Sequence, residues 1–328
     1  MPERPVGSHG ALSRTVAAGA VGTAGGAVAG GVDLGGTGSR FVVVSGGHLL
    51  AQSGMPTAQL GAGGQADRTR RMARALRRLV PDGHRLARVG IGASGPVTMP
   101  DGVVRNWATL PQFSGFDLVG ELAAELGAPV AIDNDAVAAA LGEYHYGAGR
   151  GCGRLLAVTL GTGIGAAFLV DGQPFRDRFG QHPECGHLPV LPGGERCYCG
   201  LTGCWETTAC RSALESGFKQ AAGISDLSTA YARLEEGDAD LEAVAVEYGH
   251  ALGRGLELLN VAYSPERVVL CGSVSRFLPY FAKGMRAEFE RSPGFGGELE
   301  VVGSELGDLA GAIGACVLGQ PMEAGGAN

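Results

Sequence analysis

The chain has 328 residues, and 45% of them are hydrophobic, which is enough to build one large folded unit or two lobes of ordinary size. It carries 26 basic and 33 acidic residues, so its charge does not favour wholesale binding to nucleic acid or to an anionic membrane. No apolar run reaches the length of about eighteen residues that a membrane span needs, and a small-molecule partner is therefore expected.

Gly and Ala dominate residues 1–30, as in "TVAAGAVGTAGGAVAGG". We predict a disordered, low-complexity leader over this range. A secretion signal is the alternative, but Ala and Gly make a poor hydrophobic core for a signal peptide.

Regular structure is predicted from residue 31, where "GVDLGGTGSRFVVV" places a Gly-rich turn before an apolar strand. The segment "DRTRRMARALRRLV" then has apolar side chains on one helical face and arginines on the other. A solvated face is favoured over a nucleic-acid surface for these arginines, because no aromatic residues interleave with them.

Strands and helices alternate through the rest of the chain. The segment "LARVGIGASGPV" predicts a buried strand, "APVAIDNDAVAAALGEYHYG" a strand followed by an Ala-rich helix, and "RLLAVTLGTGIGAAFLVDG" two strands joined by a Gly-rich turn. A cysteine-bearing loop, several helices, the strand in "ERVVLCGSVS" and the helix "GDLAGAIGACVLG" follow. This alternation predicts an α/β protein with largely buried sheets.

Gly-rich turns follow three of the predicted strands, at residues 33–40, 160–166 and 270–275. Glycine lets backbone N–H groups approach an anion closely, and a Thr hydroxyl adds a donor. Each turn alone is weak evidence, since most such turns are only turns. None matches a P-loop, and none has the spacing of a dinucleotide-binding motif.

The segment "IDNDA" places Asp133, Asn134 and Asp135 at the end of a strand and the start of a helix. Such clustered charge has two explanations, a helix cap or a functional carboxylate. From these residues alone we favour Asp135 as an N-cap.

Three of the eight cysteines crowd into "CYCGLTGC", at Cys197, Cys199 and Cys204. His187, ten residues upstream of the first of them, supplies the fourth ligand that tetrahedral zinc requires. Reduced free thiols or a local disulfide are the alternatives, but cysteines separated by one residue rarely pair without strain. We therefore predict a structural zinc ion in a reducing compartment, which indicates a cytoplasmic protein.

The segments "PECGH" and "CYCGLTGCWE" closely resemble paired motifs of the ROK family of sugar kinases and repressors. The segments "DLGGT", "GASGPV", "DNDAVAAALGE", "LGTGIG" and "VVLCGSVS" extend the resemblance in family order from about residue 31 to residue 320. It implies a two-lobed, actin-like ATPase fold with ribonuclease H-like lobes, an interlobe cleft and a zinc-ordered loop.

The resemblance also implies a domain organisation. Residues 31–133 with about 308–328 would form a small N-terminal lobe, and residues 134–307 a large C-terminal lobe that carries the zinc loop at 184–206. Family members are commonly dimers or tetramers, so a homodimer or homotetramer is expected.

Site residues follow from the resemblance position by position. Asp135 would be the general base, and Asp133 a supporting residue. Sugar contacts are expected from Gly95, Thr109, Asn134, Asp135, Glu184, His187 and Glu206. ATP would bind with Mg²⁺ at Asp33, Gly35, Gly36, Thr37, Gly161, Thr162, Gly163 and Gly272. The zinc ligands would be His187, Cys197, Cys199 and Cys204, with the second nitrogen of His187 facing the sugar.

The implied activity is ATP-dependent phosphorylation of the 6-hydroxyl of glucose or a glucose-like hexose. The sequence departs from the usual family motifs at Ser94, Thr109, Ala166 and Cys271, and it lacks the frequent Lys after Thr37. The substrate could therefore be a modified sugar instead, such as kanosamine or N-acetylmannosamine, or a C7-cyclitol.

A sugar-sensing regulator without catalysis is the alternative of a different class. A repressor would need a DNA-binding domain ahead of the first motif, and only a Gly- and Ala-rich segment precedes it here. A catalytically dead sensor is disfavoured because Asp33, Thr37, Asp135 and Thr162 are all present.

Overall fold

The computed structural model describes residues 26–291 and 299–318. Its strands, in chain order, are β1 (Ala27–Leu34), β2 (Gly38–Ser45), β3 (His48–Pro56), β4 (Arg85–Ala93), β5 (Val97–Thr98), β6 (Val103–Val104), β7 (Val130–Asn134), β8 (Arg154–Leu160), β9 (Ile164–Val170), β10 (Gln173–Pro174), β11 (Arg267–Cys271) and β12 (Glu300–Gly303). The α-helices are α1 (Thr57–Leu60), α2 (Gln65–Arg77), α3 (Leu118–Leu126), α4 (Asp135–Tyr146), α5 (Trp205–Ala209), α6 (Arg211–Ala222), α7 (Leu227–Glu235), α8 (Ala239–Tyr263), α9 (Leu278–Arg291) and α10 (Ala310–Ala315).

Two five-stranded sheets carry the fold, and they share one topology. The first has the order β3-β2-β1-β4-β7 and the second the order β10-β9-β8-β11-β12. In each sheet, three antiparallel strands joined by tight turns are extended by two parallel strands. The predicted α/β class is confirmed, and the two sheets resemble each other.

The parallel strands are apolar because both of their faces are covered. In the first sheet, Val32, Val89 and Ile91 are buried, and α2 and α3 contribute Met72 and Leu122 to the same core. The second sheet packs on one face against a larger core, to which the long helix α8 and its neighbour α9 contribute. None of the helices that the structure describes is both long and apolar enough to span a membrane.

The helices α4 and α10 cross closely where the two sheets meet. A Cβ atom on Gly314 of α10 would lie 1.7 Å from the carbonyl oxygen of Ala138 in α4. A Cβ on Gly90 of β4 would lie equally close, at 1.7 Å, to the carbonyl oxygen of Ala315. Only residues without a side chain fit here, which explains the small-residue composition of the last predicted helix.

Some predicted boundaries are wrong. Strand β1 begins at Ala27, so the predicted disordered leader is incorrect for residues 27–30, while residues 1–25 lie outside the described residues. The small residues of this stretch pair with β2 and β4, which local composition does not reveal. Helix α10 is also shorter than predicted, ending at Ala315. The lobe bounds stay a prediction.

Candidate active site

The strand register brings the predicted turns of the first sheet to one edge. Leu34 of β1 pairs with Ala93 of β4, which pairs with Asn134 of β7, and all three strands run parallel. The segments that follow them therefore emerge side by side, as expected for the carboxyl edge of an open parallel sheet.

The first Gly-rich turn spans residues 35–37 between β1 and β2. Gly35 N–H donates to the Gly38 carbonyl at 3.2 Å, and the buried Thr57 hydroxyl donates to the Gly35 carbonyl at 2.6 Å. These bonds hold the turn from inside the protein. Gly36 and Thr37 remain exposed, with groups free to meet a ligand.

The other two turns lie at the matching edge of the second sheet. Gly161 N–H donates to the Gly163 carbonyl at 3.0 Å, and Thr162 between them is exposed. Gly272 follows β11 with a φ of 85°, and its added Cβ would lie 2.6 Å from the carbonyl oxygen of Leu160, at the end of β8. The second and third turns are therefore neighbours, as the motifs imply.

Asn134, not Asp135, caps helix α4. The Asn134 side-chain oxygen accepts from the Ala136 N–H at 2.8 Å, and its amide donates to the Gly95 carbonyl at 3.2 Å. Asp135 has helical geometry and is the first residue of α4. The cap predicted for Asp135 is thus wrong, because the extended end of β7 includes Asn134.

The Asp135 carboxyl lies in an unusual environment. Burial raises its pKa to about 7, and the nearby charges of Asp33 and Glu184 act in the same direction. Hydrogen bonds from Ser94 and from the Ala136 N–H oppose this shift. A carboxyl with a pKa near neutrality is suited to accept a proton at physiological pH.

Asp33 is the second carboxyl with a raised pKa. Burial raises its pKa to about 6, while Arg40, whose Nη1 lies 3.4 Å from the Asp33 carboxylate, opposes the shift. The pKa values of Asp33 and Asp135 are both raised within one site, which is typical of functional sites and also of structural ion-pair networks.

The predicted metal ligands converge. One ligand atom from each of His187, Cys197, Cys199 and Cys204 lies within 4.8 Å of all the others. The His187 Nδ1 is 3.6 Å from the Cys197 Sγ, and the Sγ atoms of Cys199 and Cys204 are 3.5 Å apart. Tetrahedral zinc sets such atoms about 3.6–3.8 Å apart, so this cluster could hold a zinc ion.

Tyr198 is a site residue that the sequence analysis missed. Its hydroxyl lies 3.2 Å from the His187 Nε2, and it also hydrogen-bonds with Glu206. Desolvation and this carboxylate raise the Tyr198 pKa, although 80% of the residue is exposed to solvent. The position of Tyr198 between two predicted metal ligands, Cys197 and Cys199, was the signal that could have found it.

Glu206 and Glu184 flank the metal cluster. Glu206 lies in the first turn of α5 and accepts from the Ile164 N–H at 2.9 Å, directly beside the second Gly-rich turn. Glu184 is exposed and precedes a short 3₁₀ turn that contains His187.

Asn106 is a second residue that the motifs did not indicate. Its amide donates to the Ser94 carbonyl at 2.9 Å and to the Thr109 hydroxyl at 2.6 Å, and its oxygen accepts from the Thr109 N–H at 2.9 Å. Asn106 thereby joins Thr109 to the turn at Gly95. Thr109 also lies close to Gly36, whose added Cβ would be 2.9 Å from the Thr109 Cβ.

Comparison with known proteins adds three findings. The model of the ROK family matches residues 29–321. The glucokinase of Thermotoga maritima is 34% identical over 303 residues, which cover 87% of this chain and 95% of that protein. The structure of a ROK family glucokinase from Streptomyces griseus in complex with glucose and AMPPNP is similar with a TM-score of 0.77 and 29% identity, covering 89% of this chain and 98% of that one.

A regulator is also similar. The transcriptional regulator NagC of Escherichia coli is 30% identical over 235 residues, which cover 67% of this chain and 55% of that protein.

Proposed function

The chain belongs to the ROK family and is a hexose kinase, and we propose on this basis that it transfers the γ-phosphoryl group of ATP to the 6-hydroxyl of glucose or a glucose-like hexose. The observation that carries the proposal is the Asp135 carboxyl. Its pKa is raised to about 7 near Asp33, Glu184 and the Gly-rich turns. We call residues 133–136, where β7 ends and α4 begins, the Asp135 corner.

Asp135 acts as the general base. It accepts the proton of the 6-hydroxyl while that oxygen forms a bond to the γ-phosphorus and the bond from this phosphorus to the bridging oxygen of ADP breaks. Asp133 supports the corner, and Asn134 contacts the sugar. The Asn134 oxygen is used by the helix cap and one amide hydrogen by Gly95, which leaves its second amide hydrogen for a sugar hydroxyl.

Sugar recognition needs several short polar groups, since each hydroxyl that leaves water requires a partner. Gly95, Thr109, Glu184, His187 and Glu206 supply them. With zinc on Nδ1, the proton of the neutral His187 ring would lie on Nε2, the nitrogen that faces the Tyr198 hydroxyl at 3.2 Å and is proposed to serve the sugar side of the pocket.

ATP is held by the three turns. Backbone N–H groups at Gly36 and Gly163 contact phosphate oxygens, and the exposed Thr37 and Thr162 hydroxyls add donors. Gly35 and Gly161 belong to the same turns, and their N–H groups are used to shape these turns. Gly272 gives close access to the adenosine. Mg²⁺ would lie near Asp33 and neutralise phosphate charge, and the zinc ion would order the loop that carries His187.

A modified sugar is the second candidate. The Thr109 hydroxyl already accepts from Asn106 at 2.6 Å, so this position offers a sugar less hydrogen-bonding capacity than a free amide would. The alternative substrate is an amino sugar, such as kanosamine or N-acetylmannosamine, or else a C7-cyclitol. A non-catalytic regulator is disfavoured by the complete set of phosphate-turn and base residues. The proposal includes a homodimer or homotetramer in the cytoplasm, without nucleic-acid partners.

A coupled assay of ADP release over glucose, other hexoses, amino sugars and cyclitols tests the function. We expect turnover with glucose or one glucose-like member of the panel, and none when ATP or the sugar is omitted. Sugar binding without turnover on any member would contradict the kinase proposal and favour the regulator.

A further inference from the structure

An ion pair joins the two sheets at the Asp135 corner. Asp133 lies near the end of β7 in the first sheet, and only 7% of its side chain is exposed. Arg176 follows β10 of the second sheet. Its Nη1 lies 3.3 Å from the Asp133 Oδ1, and its Nη2 contacts Oδ2, so both carboxylate oxygens are engaged by one guanidinium.

Arg176 begins a tightly bonded loop of residues 176–182, which we call the bridge loop. The Asp177 carboxylate accepts from the N–H groups of Phe179 and Gln181 at 2.8 and 2.9 Å, and the Arg176 Nη1 donates to the Gly180 carbonyl at 3.0 Å. The bridge loop therefore has a defined shape that does not depend on a ligand.

The bridge loop also touches the first sheet's side of the molecule at a second place. The Gln181 amide donates to the Val97 carbonyl in β5 at 2.9 Å, and a Cβ on Gly180 would lie 2.8 Å from the Met99 Cβ. The buried His182 then leads to Glu184, a proposed sugar contact. The loop is thus anchored to β5 and β7 at once.

Asp133 connects the anchored bridge loop to the residues proposed to act in the phosphoryl transfer. Its Oδ1 accepts from the Asn134 N–H at 2.8 Å, and Asn134 in turn caps α4 through Ala136. The guanidinium, the carboxylate and the cap form one continuous chain of contacts that ends at Asp135. A misplacement of the base by about 1 Å is enough to slow a phosphoryl transfer strongly.

We infer that Arg176 is a positioning residue for the phosphoryl transfer, because it sets the orientation of Asn134 and Asp135 through Asp133 from the opposite sheet. The inference rests on the proposed kinase function. Arginine is suited to this role, since its planar fork meets both carboxylate oxygens, whereas lysine offers a single point charge. Removal of the guanidinium leaves the Asp133 carboxylate buried without its partner, and the corner then rearranges or takes up water.

The kinetic test compares Arg176→Met and Arg176→Lys with Arg178→Met. Arg178 is the matched control, because it is exposed in the same loop and stacks on Phe179. We expect Arg176→Met to lower kcat by about 10–100-fold while KM for ATP stays within about twofold. Arg176→Lys should be intermediate and Arg178→Met unchanged. Assays are run well below the Tm of each variant, so that loss of folded protein does not mimic the effect.

The double variant Asp133→Asn/Arg176→Met separates positioning from simple loss of charge. The amide oxygen that Asp133→Asn introduces can still accept from the Asn134 N–H, and no unpaired carboxylate remains at this position. We expect the kcat of the double variant to stay as low as that of Arg176→Met, because both variants lack the guanidinium that holds Asp133 from the second sheet. A kcat near that of the wild type would show that an unpaired carboxylate, and not lost positioning, slows Arg176→Met, and would overturn the inference. Equal kcat values for Arg176→Met and Arg178→Met would overturn the inference.

Hydrogen exchange gives a readout without substrate. We expect faster amide exchange over residues 133–137 in Arg176→Met than in Arg178→Met, with unchanged exchange in β8 and β9. Unchanged exchange over residues 133–137 would overturn the positioning role. An inactive wild-type chain would instead overturn the proposed function, and the exchange contrast would still decide whether Arg176 holds this corner.

Discussion

Glu206 accepts a hydrogen bond from the Ile164 backbone N–H, with 2.9 Å between Oε2 and the nitrogen. Glu206 lies two residues after the metal-cluster residue Cys204, and Ile164 directly follows the second Gly-rich turn. The cysteine loop, a proposed sugar contact and a proposed phosphate turn are therefore mechanically joined. A displacement of any one of them is therefore expected to displace the others.

Asp135→Asn is expected to lower kcat by about 10²–10⁴-fold, because the amide cannot accept the hydroxyl proton. Binding of ATP and sugar should change only a few-fold, since the side chain keeps its shape. Steady-state kinetics and calorimetric titration measure the two effects. Asp82→Asn, which alters an exposed carboxylate, serves as the control and should keep full activity. A near-normal rate for Asp135→Asn would rule out its role as base.

The acid limb of the rate profile should reflect Asp135. Its pKa is raised to about 7, and only the ionised form accepts a proton, so kcat should fall as the pH drops below about 7. A profile of kcat from pH 5 to 9 measures this. A flat profile down to pH 5 would contradict the assignment.

The same pKa gives a stability effect with a defined sign. The folded-state pKa of about 7 exceeds the ordinary value of 3.8, so the protonated carboxyl stabilises the fold fully below the lower value. This contribution is lost as the pH rises through about 7. Asp135→Asn should therefore raise Tm relative to wild type at pH 8 more than at pH 5. Thermal unfolding at both pH values checks the difference, and an equal shift at both would count against it.

Removal of the metal is expected to weaken sugar binding and lower Tm together, because His187 is both a proposed zinc ligand and a proposed sugar contact. Cys204→Ala should reduce bound zinc, as measured by atomic emission, and raise the sugar Kd. Cys152→Ala, a buried thiol outside the metal cluster, is the matched control and should keep the metal. Full activity in a metal-free protein would refute this link.

Tyr198→Phe is expected to raise the sugar KM by about threefold or more with little change in KM for ATP. The phenol oxygen contacts His187 at 3.2 Å and Glu206, so its removal leaves both groups with one partner fewer. Leu201→Ala, in the same loop and half exposed, controls for loop disturbance. An unchanged sugar KM would show that Tyr198 does not belong to the pocket.

The segments that form the candidate site are visible in local patterns, and the family resemblance supplied the roles expected of their residues. The order of the Gly-rich turns, the acidic corner at residues 133–135 and the ligand spacing in the cysteine loop are properties of short segments. The turns depend on the backbone freedom of glycine, the acidic residues on the end of a strand, and the metal cluster on the chemistry of its ligands. All three properties are set by residues a few positions apart in the chain. The α/β class followed in the same way, from the alternation of apolar runs with helical periods.

Only the tertiary structure decided how distant residues meet. The pairing of Arg176 with Asp133 joins two sheets, and the choice of Asn134 over Asp135 as cap follows from where β7 ends. The hydrogen bond from Asn106 to Thr109 depends on the shape of the loop that carries both residues. Side-chain contacts of this kind depend on how sheets and loops pack against one another, and no periodicity along the chain encodes that packing.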